Sequence, residues 1–376
     1  MSKIAFLHVG LHKTASTSFQ LACAEQKDLL NQAGIAYPVF TCEEANQSYI
    51  VNHSIPLYSL FSSSPESYHI NIRWGIRDIE GCKASYSRQL SKALDESESI
   101  ILSGEDVSLL SARELEKLVK FLLDKGFRVV PFGLVRSPYA HLNSSLQQRI
   151  KMGWHIDWIS IGIIGHQMTA LSTQVTTSIL GDQQLNVVPR LHALMQVFGG
   201  AIELKPFSEA LAFSNSDMQG PVGALLEIIS LVVQKKLVLP ATKLHNPSIS
   251  NIFIRIQNEI NKYQPSLKGN SLNASHFSAP KHLTGLGDKF RLTEFELDIA
   301  RGALDAIEDR FGKILGDSFL DNSFPTSNLI GEGDLVRVII EMCQRNSFAL
   351  ASHRKLLGHH QWLMGQSVGL LKSLED

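Results

Sequence analysis

The chain has 376 residues, 44% of them hydrophobic and 19% charged, enough to bury a large core without staples. Its 35 basic and 36 acidic residues leave a formal net charge of −1, which excludes a global basic field for nucleic acid or anionic membrane. Any anion must therefore be gripped locally.

Four cysteines, Cys23, Cys42, Cys82 and Cys343, have no short spacing and suggest neither a zinc site nor a disulfide framework. The apolar stretch Ile4–Leu7 is too short for a signal peptide. The longest apolar region, Pro221 to Leu239, is interrupted by Glu227, Gln234, Lys235 and Lys236, so it suits a buried helix and not a membrane span. The expectation is a soluble, cytoplasmic protein with no transmembrane segment and no nucleic-acid partner.

Ile4 to Val9 reads as a strand covered on both faces. A tight polar loop follows, "GLHKTASTS" (Gly10 to Ser18). Phe19, Ala22, Cys23, Gln26, Leu29, Leu30 and Ala33 then recur at helical spacing up to Gly34, placed as a C-terminal cap. Residues 41–95 are Ser- and aromatic-rich with little periodicity and read as an insertion over one sheet edge, on the acceptor side. Strands are predicted at Ser99–Leu102, Phe127–Val135 and Ala201–Leu204, and helices at Leu115–Leu123, Pro138–Lys151, Leu191–Phe198 and Pro221–Val233. This alternation predicts an α/β fold with a mostly parallel central sheet flanked by helices. Residues 265–290 read as a long loop. One domain over 1–325 and a helical C-terminal appendage over 326–376 complete the expected layout.

A turn from a buried strand into a helix presents free N–H groups and the positive end of the helix dipole. Lys13 adds a point charge, and Thr14, Ser16, Thr17 and Ser18 add hydroxyl donors. Each charge-assisted bond in such a site contributes about 1.5–3 kcal/mol. The Walker pattern of nucleotide triphosphatases fails here, because Lys13 follows Gly10 by only three positions. Further on, "VVPFGLVRSPYAHLNSS" reads as a strand ending in Arg136. Ser137 is then placed as the N-cap of the next helix and Pro138 at its first position.

The loop resembles the 5′-phosphosulfate loop of sulfotransferases that use 3′-phosphoadenosine 5′-phosphosulfate, especially bacterial members with G-x-H-K-T-G-T-T-S. Gly10, His12, Lys13, Thr14, Ser16, Thr17 and Ser18 align with it, and Ala15 stands where the family often has Gly. The family also has an arginine at this strand end and a serine eight positions on, which together hold the 3′-phosphate; Arg136 and Ser144 match that spacing. An arginine suits a terminal phosphate because its planar fork donates to two oxygens in parallel. "SGED" (Ser103 to Asp106), "VFGGAIELKPF" (Val197 to Phe207) and "HNPSISN" (His245 to Asn251) extend the likeness, which covers about residues 1–265. "SAPKHLTGLG" (Ser278 to Gly287) stands in for a further nucleotide loop.

The resemblance implies the nucleotide-kinase-like sulfotransferase fold and 3′-phosphoadenosine 5′-phosphosulfate (PAPS) as donor, held by His12 to Ser18, Arg136 and Ser144. It implies a hydroxyl acceptor, sugar-containing, and no metal. Lys13 is the expected stabiliser of the leaving oxygen. Glu105 is the leading candidate base, since carbohydrate sulfotransferases use a glutamate in a comparable role, and His53 is its rival. A kinase of the same fold and a non-catalytic nucleotide- or glycan-binding relative are the alternatives.

Overall fold

The computed structural model describes residues 3–159, 168–239, 249–263, 267–268, 271–272, 281–285 and 287–329. They fall into two compact units. One holds the chain up to Arg149 with 167–248 and 294–326; the other holds 150–166, 249–293 and the chain from Ser327. The expected single domain over 1–325 is thus interrupted twice. Of the expected C-terminal appendage, 326–329 has no regular secondary structure and 330–376 lies outside the described residues.

In the first unit the chain runs β1 (Lys3–His8), α1 (Ser16–Glu25), α2 (Lys27–Gln32), β2 (Ile35–Ala36), β3 (Phe40–Cys42), β4 (Gln47–Ile50), α3 (Ser54–Phe61), α4 (His69–Trp74) and α5 (Ile79–Asp95). It continues through β5 (Ser99–Ser103), α6 (Ala112–Asp124), β6 (Phe127–Val135), α7 (Pro138–Lys151), α8 (Met168–Gly181) and α9 (Val188–Phe198). Then come β7 (Glu203–Pro206), α10 (Phe207–Ala212) and α11 (Gly220–Val233). After α12 (Asn251–Tyr263), in the second unit, it returns with α13 (Glu294–Leu315). Five strands form one parallel sheet in the order β2-β5-β1-β6-β7, flanked by helices. The α/β fold is as the alternation predicts.

The register explains the core. Phe6 lies beside Ile101 and Val130, so alternate residues of β1, β5 and β6 share a face. Phe6, Ile101, Phe132 and Leu134 pack there with Phe19, Ala22 and Cys23 of α1 and with Leu225 and Ile229 of α11. Helix α6 opens with a capping box, Ser111 and Glu114, and buries Leu115, Leu118 and Leu122. The helix expected from Phe19 to Ala33 breaks at Gln26, and Gly34 follows in the left-handed region at φ 81°.

Residues 41–95 are more regular than their composition suggests. A β3–β4 hairpin is followed by helices, and α5 buries Tyr86, Leu90 and Leu94 four residues apart before feeding β5. The fold also brings together two of the scattered cysteines: Cys42 Sγ on β3 and Cys82 Sγ on α5 are 3.6 Å apart as free thiols.

The second unit is stitched by polar side chains of α12. Asn258 Nδ2 donates to Ile156 O and Ile159 O at 2.9 and 2.7 Å, and Asn261 Nδ2 to Ile150 O and Trp154 O at 2.7 and 2.9 Å. Arg255, fully buried, donates from Nε to Asn251 Oδ1 at 2.8 Å and from a terminal nitrogen to Arg291 O at 3.2 Å. Of the expected loop Ser278 to Gly287, residues 278–280 and 286 lie outside the described residues, and Lys281–Gly285 form a short 3-10 helix.

Candidate functional site

Three strand ends converge beside the 10–18 loop. Val9 N donates to Phe132 O at 3.0 Å, tying the end of β1 to β6, and Gly104 N donates to His8 O at 3.1 Å, tying the end of β5 to β1. Ligands in open parallel sheets bind at this carboxyl edge. A Cβ on Gly10 would meet His8 Nε2 at 2.5 Å, so only glycine fits where the loop leaves β1.

Within the loop the sign of φ alternates: Lys13 at 71° and Ala15 at 63° are left-handed, while Thr14 between them is not. Such alternation turns successive N–H groups into one concavity, a nest for an anion. Ala15 occupies the N-cap of α1 without a side-chain cap bond. The expected row of four hydroxyl donors is not realised. Thr14 Oγ1 donates to Leu11 O at 2.5 Å inside the loop, Thr17 is exposed, and Ser18 is buried with bonds of its own. Ser16 Oγ, at 2% residue exposure, has no hydrogen-bond partner among the described residues and is the hydroxyl left for a ligand.

Lys13 Nζ donates to Gln148 Oε1 on α7 at 2.8 Å. Gln148 is one helical turn beyond the half-buried Ser144, on the same face, so the loop lysine is bonded to the helix that carries Ser144. Arg136 ends the loop side of β6. Its guanidinium lies 4.4 Å over the Phe207 ring, its Nε is buried with no hydrogen-bond partner among the described residues, and burial lowers its pKa to about 10 against the opposing field of Asp321.

Ser137 does not cap α7 as expected. Its hydroxyl donates to Asp321 Oδ1 at 2.5 Å, while Asp321 Oδ2 accepts from Tyr139 N at 3.0 Å and Ala140 N at 3.4 Å. A carboxylate from beyond α13 is the cap. These two N–H groups of the first turn are therefore taken by Asp321.

The rival base His53 is a structural residue. It is fully buried, its Nε2 donates to Pro38 O at 2.7 Å and its Nδ1 accepts from Ser103 N at 2.9 Å. Both ring nitrogens are engaged by backbone, which leaves none for an acceptor proton. Burial lowers its pKa to about 4, only partly opposed by the Pro38 carbonyl.

Glu105 begins a 3-10 turn, Glu105–Leu109, and is half-buried. The buried acid is its neighbour Asp106, at 3% exposure. Its Oδ2 accepts from Tyr68 Oη at 2.6 Å, and its Oδ1 lies 2.9 Å from His12 Nε2, off the hydrogen-bond line. Burial pushes the Asp106 carboxyl up, but the His12 imidazole and the Tyr68 hydroxyl outweigh it and hold it below the usual range. His12 is thus backed by a charged, buried carboxylate. His141 on α7 is also buried; its Nε2 donates to Gln184 O at 2.9 Å and its Nδ1 has no hydrogen-bond partner among the described residues.

No helix among the described residues is long and apolar enough to cross a membrane. Compared with protein-family models, curated proteins and solved structures, the chain matches none of them.

Proposed function

We propose that this chain is a sulfotransferase that moves a sulfuryl group from PAPS to a hydroxyl of a sugar-containing acceptor. The observation that carries the reading is the Lys13–Gln148 bond, which seats the loop lysine on the helix that begins after Arg136 and bears Ser144. The residues fit a donor with anionic groups at both ends. The nest, Lys13 and the unpartnered Ser16 hydroxyl suit a phosphosulfate, and the buried Arg136 with Ser144 suits a terminal phosphate.

In this reading the acceptor oxygen attacks sulfur in line as the S–O bond to the bridging oxygen breaks. That oxygen leaves on the 5′-phosphate of adenosine 3′,5′-bisphosphate. Lys13 and the loop N–H groups stabilise the charge that builds on it. The acceptor proton passes to a base, for which the candidates are Glu105, just after β5, and His12, backed by Asp106.

Calorimetry with adenosine 3′,5′-bisphosphate and ADP tests the donor. The bisphosphate is expected to bind more tightly, and Arg136→Ala to weaken it by about 30-fold or more while leaving ADP within about threefold. Preference for ADP overturns the reading in favour of a kinase. With radiolabelled donor, Lys13→Ala is expected to abolish transfer and Glu105→Gln to slow it by about 10² with donor affinity kept; unchanged turnover in Glu105→Gln would assign the base to His12. If no hydroxyl acceptor is ever labelled, the chain is a binding protein.

A further inference from the structure

Arg190, in the first turn of α9, is 3% exposed, and Nε and both terminal nitrogens are each buried without a hydrogen-bond partner among the described residues. A guanidinium carries five donors, and leaving it unmatched in the interior is strongly unfavourable. Arg255 shows how a structural arginine is handled in this chain, with partners on its Nε and on a terminal nitrogen. The carboxylates whose field reaches Arg190 are Asp106, Asp182 and Glu105. Asp106 is engaged by Tyr68 and His12, and Asp182 is paired with Arg149 at 2.5 Å. Glu105 is half-buried at the end of β5, and His141, with its unpartnered Nδ1, also lies within the field of Arg190.

Arg190 borders the donor grips from the other side of β1. Helix α9 packs on the Glu105–Leu109 turn that follows β5, whereas Arg136 follows β6, and His141 on α7 lies in the fields of Arg190, His12 and Arg136 alike. With the donor spanning the β1 loop and Arg136, the turn after β5 faces the acceptor. We infer that Arg190 is an acceptor-binding residue, and that the acceptor is an acid whose carboxylate, phosphate or sulfate group docks on its fork beside the reacting hydroxyl. This inference rests on the sulfotransferase reading and names its substrate class. The planar fork matches an oxyanion with two parallel bonds, which a neutral sugar hydroxyl cannot return.

The test uses the full chain, labelled donor and matched acceptor pairs: methyl glucuronide against methyl glucoside, and glucose 6-phosphate and glucose 6-sulfate each against glucose. The acid member of at least one pair is expected to be preferred by about 30-fold in kcat/KM, and the preferred pair identifies the oxyanion. Arg190→Gln is expected to reduce that preference to about threefold or less while the affinity for adenosine 3′,5′-bisphosphate stays within about threefold. Should Arg190→Gln fail to fold, Arg190→Lys keeps the charge without the fork and is expected to lose about tenfold of the preference. The inference is overturned if no acid is preferred, if the preference survives the substitution, or if bisphosphate affinity falls in step with it. Failure of the wild-type chain to bind the bisphosphate at all sinks the underlying sulfotransferase reading instead.

Discussion

Ala15 holds a backbone conformation that costs an L-residue about 1–2 kcal/mol, and glycine adopts it freely at an entropic cost of about 0.5–1 kcal/mol. Ala15→Gly is therefore expected to raise stability by about 0.5–1 kcal/mol, seen as a higher urea midpoint. A lower midpoint would mean that the loop does not hold this geometry. The departure from the G-x-H-K-T-G pattern was visible in the sequence; that it sits at a left-handed position was not. The same holds across the site. Lys13 and Arg136 could be read from loop and strand-end chemistry, whereas the bond from Lys13 to Gln148, on the helix that follows Arg136, could not. The Asp106–His12 contact joins residues ninety-odd positions apart, and Arg190 is a lone charge among apolar neighbours. Neither has a local pattern. His53 entered the candidate set as a histidine of the 41–95 insertion, a position that shows neither its burial nor its two backbone bonds.

At the scale of elements, α7 depends on a carboxylate distant in sequence. Asp321→Ala removes the acceptor for the Ser137 hydroxyl and for two N–H groups of the first turn. It is expected to lower stability by about 1–2 kcal/mol in urea unfolding, with Asp321→Asn intermediate. No change would show that Ser137 can cap the helix unaided. The strands with continuous apolar runs, β1, β5 and β6, were legible, and so was α7, whose Ser-Pro start and apolar stripe define it. Two-residue β2 was not, because it has no periodicity to show. Helix α8 was missed for a different reason: Met168–Gly181 is rich in Thr and Ser, whose propensity argues against a helix that packing against α13 sustains. Helix α13 had a readable signal, since Leu297, Ala300, Leu304, Ile307 and Phe311 recur at helical spacing.

For the molecule as a whole, acid is the expected weak point. His8, His53 and His141 are buried in the first unit, and burial lowers their pKa values to about 3, 4 and 3. Unfolded, each binds a proton near pH 6.5, so the folded state holds fewer protons than the unfolded one below that pH. Their contribution is complete above about pH 6.5 and is lost as pH falls toward 4 and 3. Each unit of depression is worth about 1.4 kcal/mol, which makes the loss on the order of several kcal/mol by pH 5. Urea midpoints should fall steeply between pH 7.5 and 5, and less steeply in His53→Gln; flat midpoints would mean these rings are not held neutral. The order of the sheet carries a last consequence, for the growing chain. Of the five strands of this sheet β1 is translated first, yet it is the middle one, and its neighbours are synthesised much later: Ile4 pairs beside Ser99 and then Arg128. Until the third of those segments has emerged, an apolar ribbon waits with both edges open, so this nascent protein should lean on chaperones early in translation.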